Sequence, residues 1–267
     1  MNHTGLSPAE VTPAVIRGFI TDQRDKRSAT TAHHSLLTLR VFFNYLLRDG
    51  FLETNPALAV DKPKRRKTVL QTLSDAQVNA LLDNCARDFC GTRDRALMLL
   101  MLDTGARVQE VLSLREEDLS LDRQIITVTG KGDKERQIPF GSGVRTALAA
   151  YFARRGAVDS SALVFVNHYG EALTRHAIRA MLRKRGSDAK VTGVRLSPHT
   201  FRHTFAKQWL INGGDAFSLQ RMLGHSTMEM VRNYVNLLAG EVQEIHRHCS
   251  PVDRMQGPKQ GQRKRMR

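Results

Sequence analysis

Ser197 to Tyr234 reads SPHTFRHTFAKQWLINGGDAFSLQRMLGHSTMEMVRNY, and these 38 residues hold His199, Arg202, His225 and Tyr234. Ser197 followed by Pro198 is an N-cap with proline at the first helical position, so a helix is expected to begin there. His199 and Arg202 then lie one turn apart on one face, near the positive end of the helix dipole. Gly213-Gly214 closes that helix. Ser226-Thr227-Met228-Glu229 has the S-x-x-E form of a capping box, which predicts a second helix just after His225. Tyr234 falls about two turns along it. Two helix N-termini, each accompanied by imidazole or guanidinium, suit an anion such as a phosphate.

The rest of the chain agrees with an anionic partner. The 267 residues carry 41 Lys and Arg against 26 Asp and Glu, a formal net charge of +15 with a pI near 10.4. Such an excess points to a polyanion, nucleic acid first and an anionic membrane surface second. No apolar run reaches spanning length, and MNHTGLSPAE has neither a basic n-region nor an apolar h-region, so no membrane role is expected. Cys85, Cys90 and Cys249 make no disulfide framework, which fits a reducing cytoplasm. Cys249 lies near His246 and His248, but no C-x-x-C pair accompanies them, and a helix end is expected there rather than zinc.

Helical and strand periodicities predict a mainly α fold with a small β-sheet. Thr12-Pro13 opens a first helix, and a longer one runs from about Ser28 to Asp49. Together they make a thin core for residues 1–61. Residues 62–71 form a basic linker in which Lys62, Lys64, Arg65, Arg66 and Lys67 are expected to track a nucleic-acid backbone. Residues 72–250 form the main domain. Its helix from about Thr92 to Asp103 is almost continuously apolar and should be buried, and Thr104-Gly105 ends it before a new helix near Arg107. Gln124 to Thr129 and Lys134 to Phe140 read as a β-hairpin with Lys131 at its Gly-rich tip. Val164 to Val166 reads as a short strand, and Thr174 to Arg185 as a basic helix bearing Arg175 and Arg179. Residues 251–267, with six basic residues against one acidic, are expected to be a disordered tail.

The polar groups with chemical potential are Arg107, Lys131, His199, Arg202, His225 and Tyr234. Arg107 is either a surface ion pair with Glu110 or a cation facing a cleft beside the most apolar helix. Lys131 is either a solvated hairpin lysine or a proton donor, and His225 alone would read as a packing histidine. His176 and His203 read as ordinary helix residues. The turn at Gly130-Lys131-Gly132 lacks P-loop spacing, and no G-x-G-x-x-G follows a strand. No H-E-x-x-H or carboxylate cluster supports a metal. The set suits metal-free attack on a phosphodiester, with arginines on the non-bridging oxygens, a hydroxyl nucleophile and a cationic acid.

Five segments, TGARVQEVLSL, GKGDKERQIPF, SPHTFRHTFA, LGHST and the Tyr234 context, stand in an order and spacing that resembles the tyrosine recombinase (phage integrase) family, nearest in style to Xer-type and mobile-element enzymes. The resemblance covers about Thr72 to Cys249 and implies a DNA breaking-rejoining catalytic domain. It implies Tyr234 as a nucleophile that forms a 3′-phosphotyrosyl bond and releases a 5′-hydroxyl. Arg107 and Arg202 would clamp the scissile phosphate, and Lys131 would be the general acid, with Lys134 as the fallback. His199 would assist proton transfer, His225 would hydrogen-bond a phosphate oxygen, and Glu110 would orient the arginine. No cofactor, metal or ATP is implied, because the phosphotyrosyl link keeps the bond energy.

Residues 12 to 61 resemble the second half of the family's helical core-binding domain, so the first helices are expected to be missing before Met1. The expected function is site-specific recombination and integration of double-stranded DNA by a homotetramer, assembled through the segment after Tyr234 with its Leu237, Leu238, Val242 and Ile245. A cytoplasmic, nucleoid-associated location follows. The alternatives are a type IB topoisomerase-like relaxase and a truncated DNA-binding remnant without catalysis.

Overall fold

In the computed structural model, residues 5–64, 71–130 and 132–235 are described, with His246, Ser250 and Val252. The chain divides into two compact units, Met1–Thr68 and Val69–Arg267.

The first unit is built on α1 (Pro13–Lys26) and α2 (Ala29–Arg48). The Thr12 and Ser28 side chains cap them, accepting from the Val15 and Thr31 amides. Ile16 and Ile20 of α1 meet Ala32, Leu36 and Phe43 of α2, and Ala57 and Val60 close the core from a short 3₁₀ turn. Arg40 holds that turn, donating to the carbonyls of Ala57 at 3.1 Å and Val60 at 2.7 Å.

The second unit begins with α3 (Asp75–Asp83) and is centred on α4 (Phe89–Thr104). Asp88 caps α4, so the helix starts three residues before the sequence-based expectation at Thr92. Ala96, Leu97, Met98, Leu100 and Met101 are at most 1% exposed, which makes α4 the spine of the core. It ends at Gly105, whose φ of 59° is left-handed. A Cβ there would lie 2.3 Å from Phe205 Cδ1, so only glycine allows the close approach.

α5 (Val108–Leu112) follows, then an antiparallel sheet of β1 (Leu119–Ser120), β2 (Ile125–Thr129) and β3 (Glu135–Pro139) in that order. The expected hairpin is β2–β3, with Ile126 opposite Ile138 and Val128 opposite Arg136. The two-residue β1 on its far edge is too short to carry a periodic signal. Pro139 is tolerated because β3 is an edge strand.

Next come α6 (Ser142–Arg155), α7 (Arg175–Asp188), α8 (Pro198–Ile211), α9 (Ala216–Leu223) and α10 (Met228–Val235). Val164 to Val166 is not a strand: Leu163 and Val166 each make one isolated bridge, to Arg115 and Ala172. Its hydrophobicity has another cause, since Phe165 is fully buried and stacks on Tyr151 at 5.7 Å. α9 is an addition to the expected elements. Its signals are the Asp215 cap and the apolar trio Leu219, Met222 and Leu223.

Candidate active site

Three consecutive carbonyls at the end of α9 each accept a guanidinium. Arg136 Nε donates to Met222 O at 2.9 Å, Arg202 Nη2 to Leu223 O at 2.8 Å, and Arg107 Nη2 to Gly224 O at 3.3 Å. The last carbonyls of a helix lack intrahelical partners and carry the negative end of its dipole, so cations are stabilised there. Gly224 makes the geometry possible. Its φ is 60°, and a Cβ on it would come within 3.0 Å of Arg136 Cζ.

The arginines reach this point from separate elements. Arg107 is the N-cap of α5, just past the Gly105 break. Arg202 lies one turn into α8, 6% exposed, and its Nη1 donates to Gly105 O at 2.6 Å. Arg136 sits on β3, where alternation puts it on the same inward face as buried Ile138.

Buried Glu110 balances part of this charge. Its carboxylate accepts from both terminal nitrogens of Arg136, at 3.0 and 2.9 Å, and from Arg107 Nη1 at 3.0 Å and the Arg107 amide at 2.7 Å. Burial works to raise its pKa, but hydrogen bonds from Arg136 and from the Arg107 amide outweigh it and keep the carboxyl below its usual value. Glu110 therefore orients two arginines, and Arg136, absent from the sequence-derived set, is the more buried of them.

The Arg202 guanidinium is pushed down to about 10, by burial first and then by Arg107. It remains charged at neutral pH. Its Nη2 also lies 2.9 Å from His225 Nε2. A guanidinium only donates, so Nε2 accepts and the His225 proton resides on Nδ1. That Nδ1 is buried and has no hydrogen-bond partner among the described residues. Burial, followed by Arg202 and Arg107, lowers the His225 pKa to about 4, so the ring is neutral in the working range of pH.

Tyr234 projects from α10 and is 4% exposed. Its ring is parallel to that of His225, with centroids 6.2 Å apart, and its hydroxyl lies 3.1 Å from His203 Nδ1. Burial raises the Tyr234 pKa, and the Arg202 and Arg107 charges partly offset it. His203, which reads in sequence as an ordinary helix residue, is thus in contact with the expected nucleophile. No local pattern marks it, because the contact spans 31 residues and depends on where α10 returns.

His199, on the first turn of α8, is exposed and lines a cleft of about 730 Å³ with His176, Arg179, Arg183 and Arg195. Partial burial, then Arg202 and Arg179, lower its pKa. Arg175 and Arg179 are exposed on α7, and Lys62 and Lys64 are exposed in the first unit. Lys134 is exposed after the hairpin turn. Lys131, Arg65, Arg66 and Lys67 lie outside the described residues, as do Leu237, Leu238, Val242 and Ile245. Among the described residues no group of three or more His, Cys, Asp or Glu could hold a metal ion.

Residues 71–241 match the phage integrase family. Tyrosine recombinase XerC of Thermodesulfovibrio yellowstonii is 34% identical over 265 residues, which cover 95% of this chain and 87% of the relative. The crystal structure of the XerA recombinase is 26% identical, with a TM-score of 0.60 over 92% of this chain and 86% of that one. The XerH site-specific recombinase in its post-cleavage complex with palindromic difH substrate is 19% identical. It shares the fold at a TM-score of 0.75, over 91% of this chain and 73% of that one. The family match spans the arginine cluster and the buried tyrosine alike, and the chain belongs to the phage integrase family, the tyrosine recombinases.

Proposed function

We infer that the protein cleaves and rejoins double-stranded DNA at specific sites through a 3′-phosphotyrosyl bond at Tyr234. The observation that carries this reading is the convergence of Arg107, Arg202 and His225 beside Tyr234 at the end of α9. Arg107 has its side chain 41% exposed, and Arg202 lies buried next to it on the same run of carbonyls. Together they hold the non-bridging oxygens and stabilise the charge that grows on them in the pentacovalent transition state. The neutral His225 supplies an Nδ1–H donor to the same group. Lys131 is the acid for the leaving 5′ oxygen, with Lys134 as its substitute, and His199 assists at the mouth of the basic cleft. Glu110 keeps Arg107 in place.

The duplex is held by Arg175 and Arg179 of α7 and by Lys62, Lys64, Arg65, Arg66 and Lys67. Four copies act together, joined through the segment after Tyr234. The relaxase and remnant readings are not favoured, because relatives that match nearly the whole chain are named recombinases and the arginine–histidine–tyrosine set is complete among the described positions.

The test is a pool of nicked duplexes with a randomised core, whose cleavage product diffuses away and traps the covalent complex. The wild type should yield an SDS-resistant adduct whose DNA shares a consensus, and Tyr234→Phe should yield none. No adduct would sink the enzyme reading, and an adduct that persists in Tyr234→Phe would sink the nucleophile. Removal of residues 236–267 should leave single-site binding and abolish pairing of two recovered sites. Undiminished pairing would overturn the tetramer assignment.

A further inference from the structure

We propose that Arg136 is a positioning residue for departure of the 5′ oxygen: its guanidinium fixes the root of the β2–β3 turn, and with it the acid Lys131, against the groups that hold the phosphate. This deepens the function proposed above and rests on the assignment of Lys131 as the acid.

One guanidinium meets three separate elements. Its terminal nitrogens donate to the Glu110 carboxylate of α5, at 3.0 and 2.9 Å, and its Nε donates to Met222 O at the end of α9, at 2.9 Å. The third contact is with its own hairpin. Arg136 pairs with Val128, and alternation carried just past the end of β2 puts Gly130 on the same face. A Cβ on Gly130 would lie 3.5 Å from Arg136 Nη1, so the bare glycine lets the backbone and the guanidinium pack together. Lys131 is the next residue in the chain. The turn is closed at the same level, where the Gly130 amide donates to Lys134 O at 2.9 Å.

The other two anchors belong to the phosphate-holding groups. Glu110 also holds Arg107, by its side chain and its amide. Met222 precedes Leu223 and Gly224, whose carbonyls accept from Arg202 and Arg107, and His225 comes next. A Cβ on Gly224 would come within 3.0 Å of Arg136 Nη1, the same nitrogen that faces Gly130. That nitrogen therefore lies between the residue before Lys131 and the residue before His225. The side chain is 14% exposed and its fork is matched to both carboxylate oxygens, so it has little freedom to swing. An acid must stand within hydrogen-bond reach of the departing oxygen while the arginines hold its phosphorus. A displacement of about 1 Å costs about 10²-fold in rate, and Arg136 sets that spacing.

The experiment compares single-turnover cleavage of a recovered site carrying the ordinary 5′ oxygen with the same site carrying a 5′-bridging sulfur, which departs without an acid. Arg136→Lys and Arg136→Gln are measured beside Lys131→Ala and Arg107→Ala. The rate constant reports the folded molecules alone, and the amplitude reports their fraction. Lys131→Ala should be slow on oxygen and near the wild type on sulfur, whereas Arg107→Ala should be slow on both. The Arg136 variants should follow Lys131→Ala, about 10²-fold slower than the wild type on oxygen and within about tenfold of it on sulfur. Arg136→Lys should slow Lys131→Ala much less than it slows the wild type, since a lost acid leaves nothing to position.

A defect in the Arg136 variants that persists in full on sulfur, as in Arg107→Ala, overturns the proposal and leaves Lys131 as the acid. So does a wild-type rate constant with a reduced amplitude, which marks a purely structural residue. A Lys131→Ala defect that sulfur does not relieve removes the acid assignment and the role of Arg136 together, while Tyr234 stands or falls separately by its adduct.

Discussion

At the scale of the residue, the site is a cluster of cations kept apart by what each is bonded to. His225 stays neutral because of its burial first and then the charges of Arg202, Arg107 and Arg136, and its pKa of about 4 makes stability depend on pH. An unfolded imidazole titrates near 6.5, so the unfolded chain binds a proton between about pH 6.5 and 4 that the native ring refuses. The stability from this group is fully present above the unfolded value and is lost as pH falls through that window. A loss on the order of 1–3 kcal/mol is expected by pH 4. Urea midpoints followed from neutral pH downwards should drop more steeply for the wild type than for His225→Gln. Some slope should remain in the variant, since His199 and His203 are shifted in the same direction. Equal slopes would count against the buried neutral ring. Residues of this kind differ in legibility. His199 and Arg202 share one helix turn and Tyr234 follows an S-x-x-E sequence signature, so spacing alone brings them forward. His203 stays hidden because its contact with Tyr234 depends on where α10 returns, a tertiary fact with no local pattern.

At the scale of the element, the end of α9 is what assembles the arginines, and it is the element hardest to value from sequence. The Asp215 cap and apolar positions mark a helix, but backbone carbonyls carry no residue identity, so nothing local says that three guanidinium groups meet there. Arg136 was legible in one respect, since strict alternation along β3 turns it inward with Ile138. Arg136→Ala leaves the buried Glu110 with Arg107 alone and frees the Met222 carbonyl. Breaking a pair this buried costs about 3 kcal/mol, so the melting temperature should fall by several degrees and cleavage should fall with it. Arg136→Lys should rescue little, because an ammonium cannot reproduce the fork that meets both carboxylate oxygens. Wild-type melting in Arg136→Ala would refute the coupling. α7 gives a second contrast within one helix. Exposed Arg179 lines the basic cleft, whereas Arg185 Nη2 reaches the buried Asp94 at 2.8 Å and is not free for a ligand. Arg179→Ala should weaken DNA binding with unchanged melting, and Arg185→Ala should do the reverse. A stability loss in the first variant matched by a binding loss in the second would exchange the two assignments.

At the scale of the whole molecule, the charge excess and the fold are separable. The core of the second unit is closed by α4, α6, α8 and the sheet, and the largest buried residues are Tyr151, Phe165, Phe201 and aliphatic side chains. Basic residues that do structural work, such as Arg155 against Glu116 and the Val164 carbonyl, have carbonyl or carboxylate partners inside the unit. Others, including Lys62, Lys64, Arg175 and Arg179, are exposed. With a net charge of +15, that exposed set should meet phosphates and release the ions condensed on the duplex. Affinity for a recovered site, measured by titration of a labelled duplex, should fall by about 10³ or more between 50 and 200 mM salt, as about six or more phosphate contacts require. Arg179→Ala should flatten the logarithmic slope by about one phosphate and weaken all sequences alike, because a backbone contact carries no base information. The buried Arg202, proposed to hold the scissile phosphate, should behave differently in the same titration. Arg202→Ala removes a cation held by Gly105, Leu223 and His225, so its loss should appear in cleavage far more than in the salt slope. If affinity proved nearly flat with salt, the surplus charge would be serving something other than the duplex, and the division between exposed binding cations and buried reacting ones would have to be redrawn.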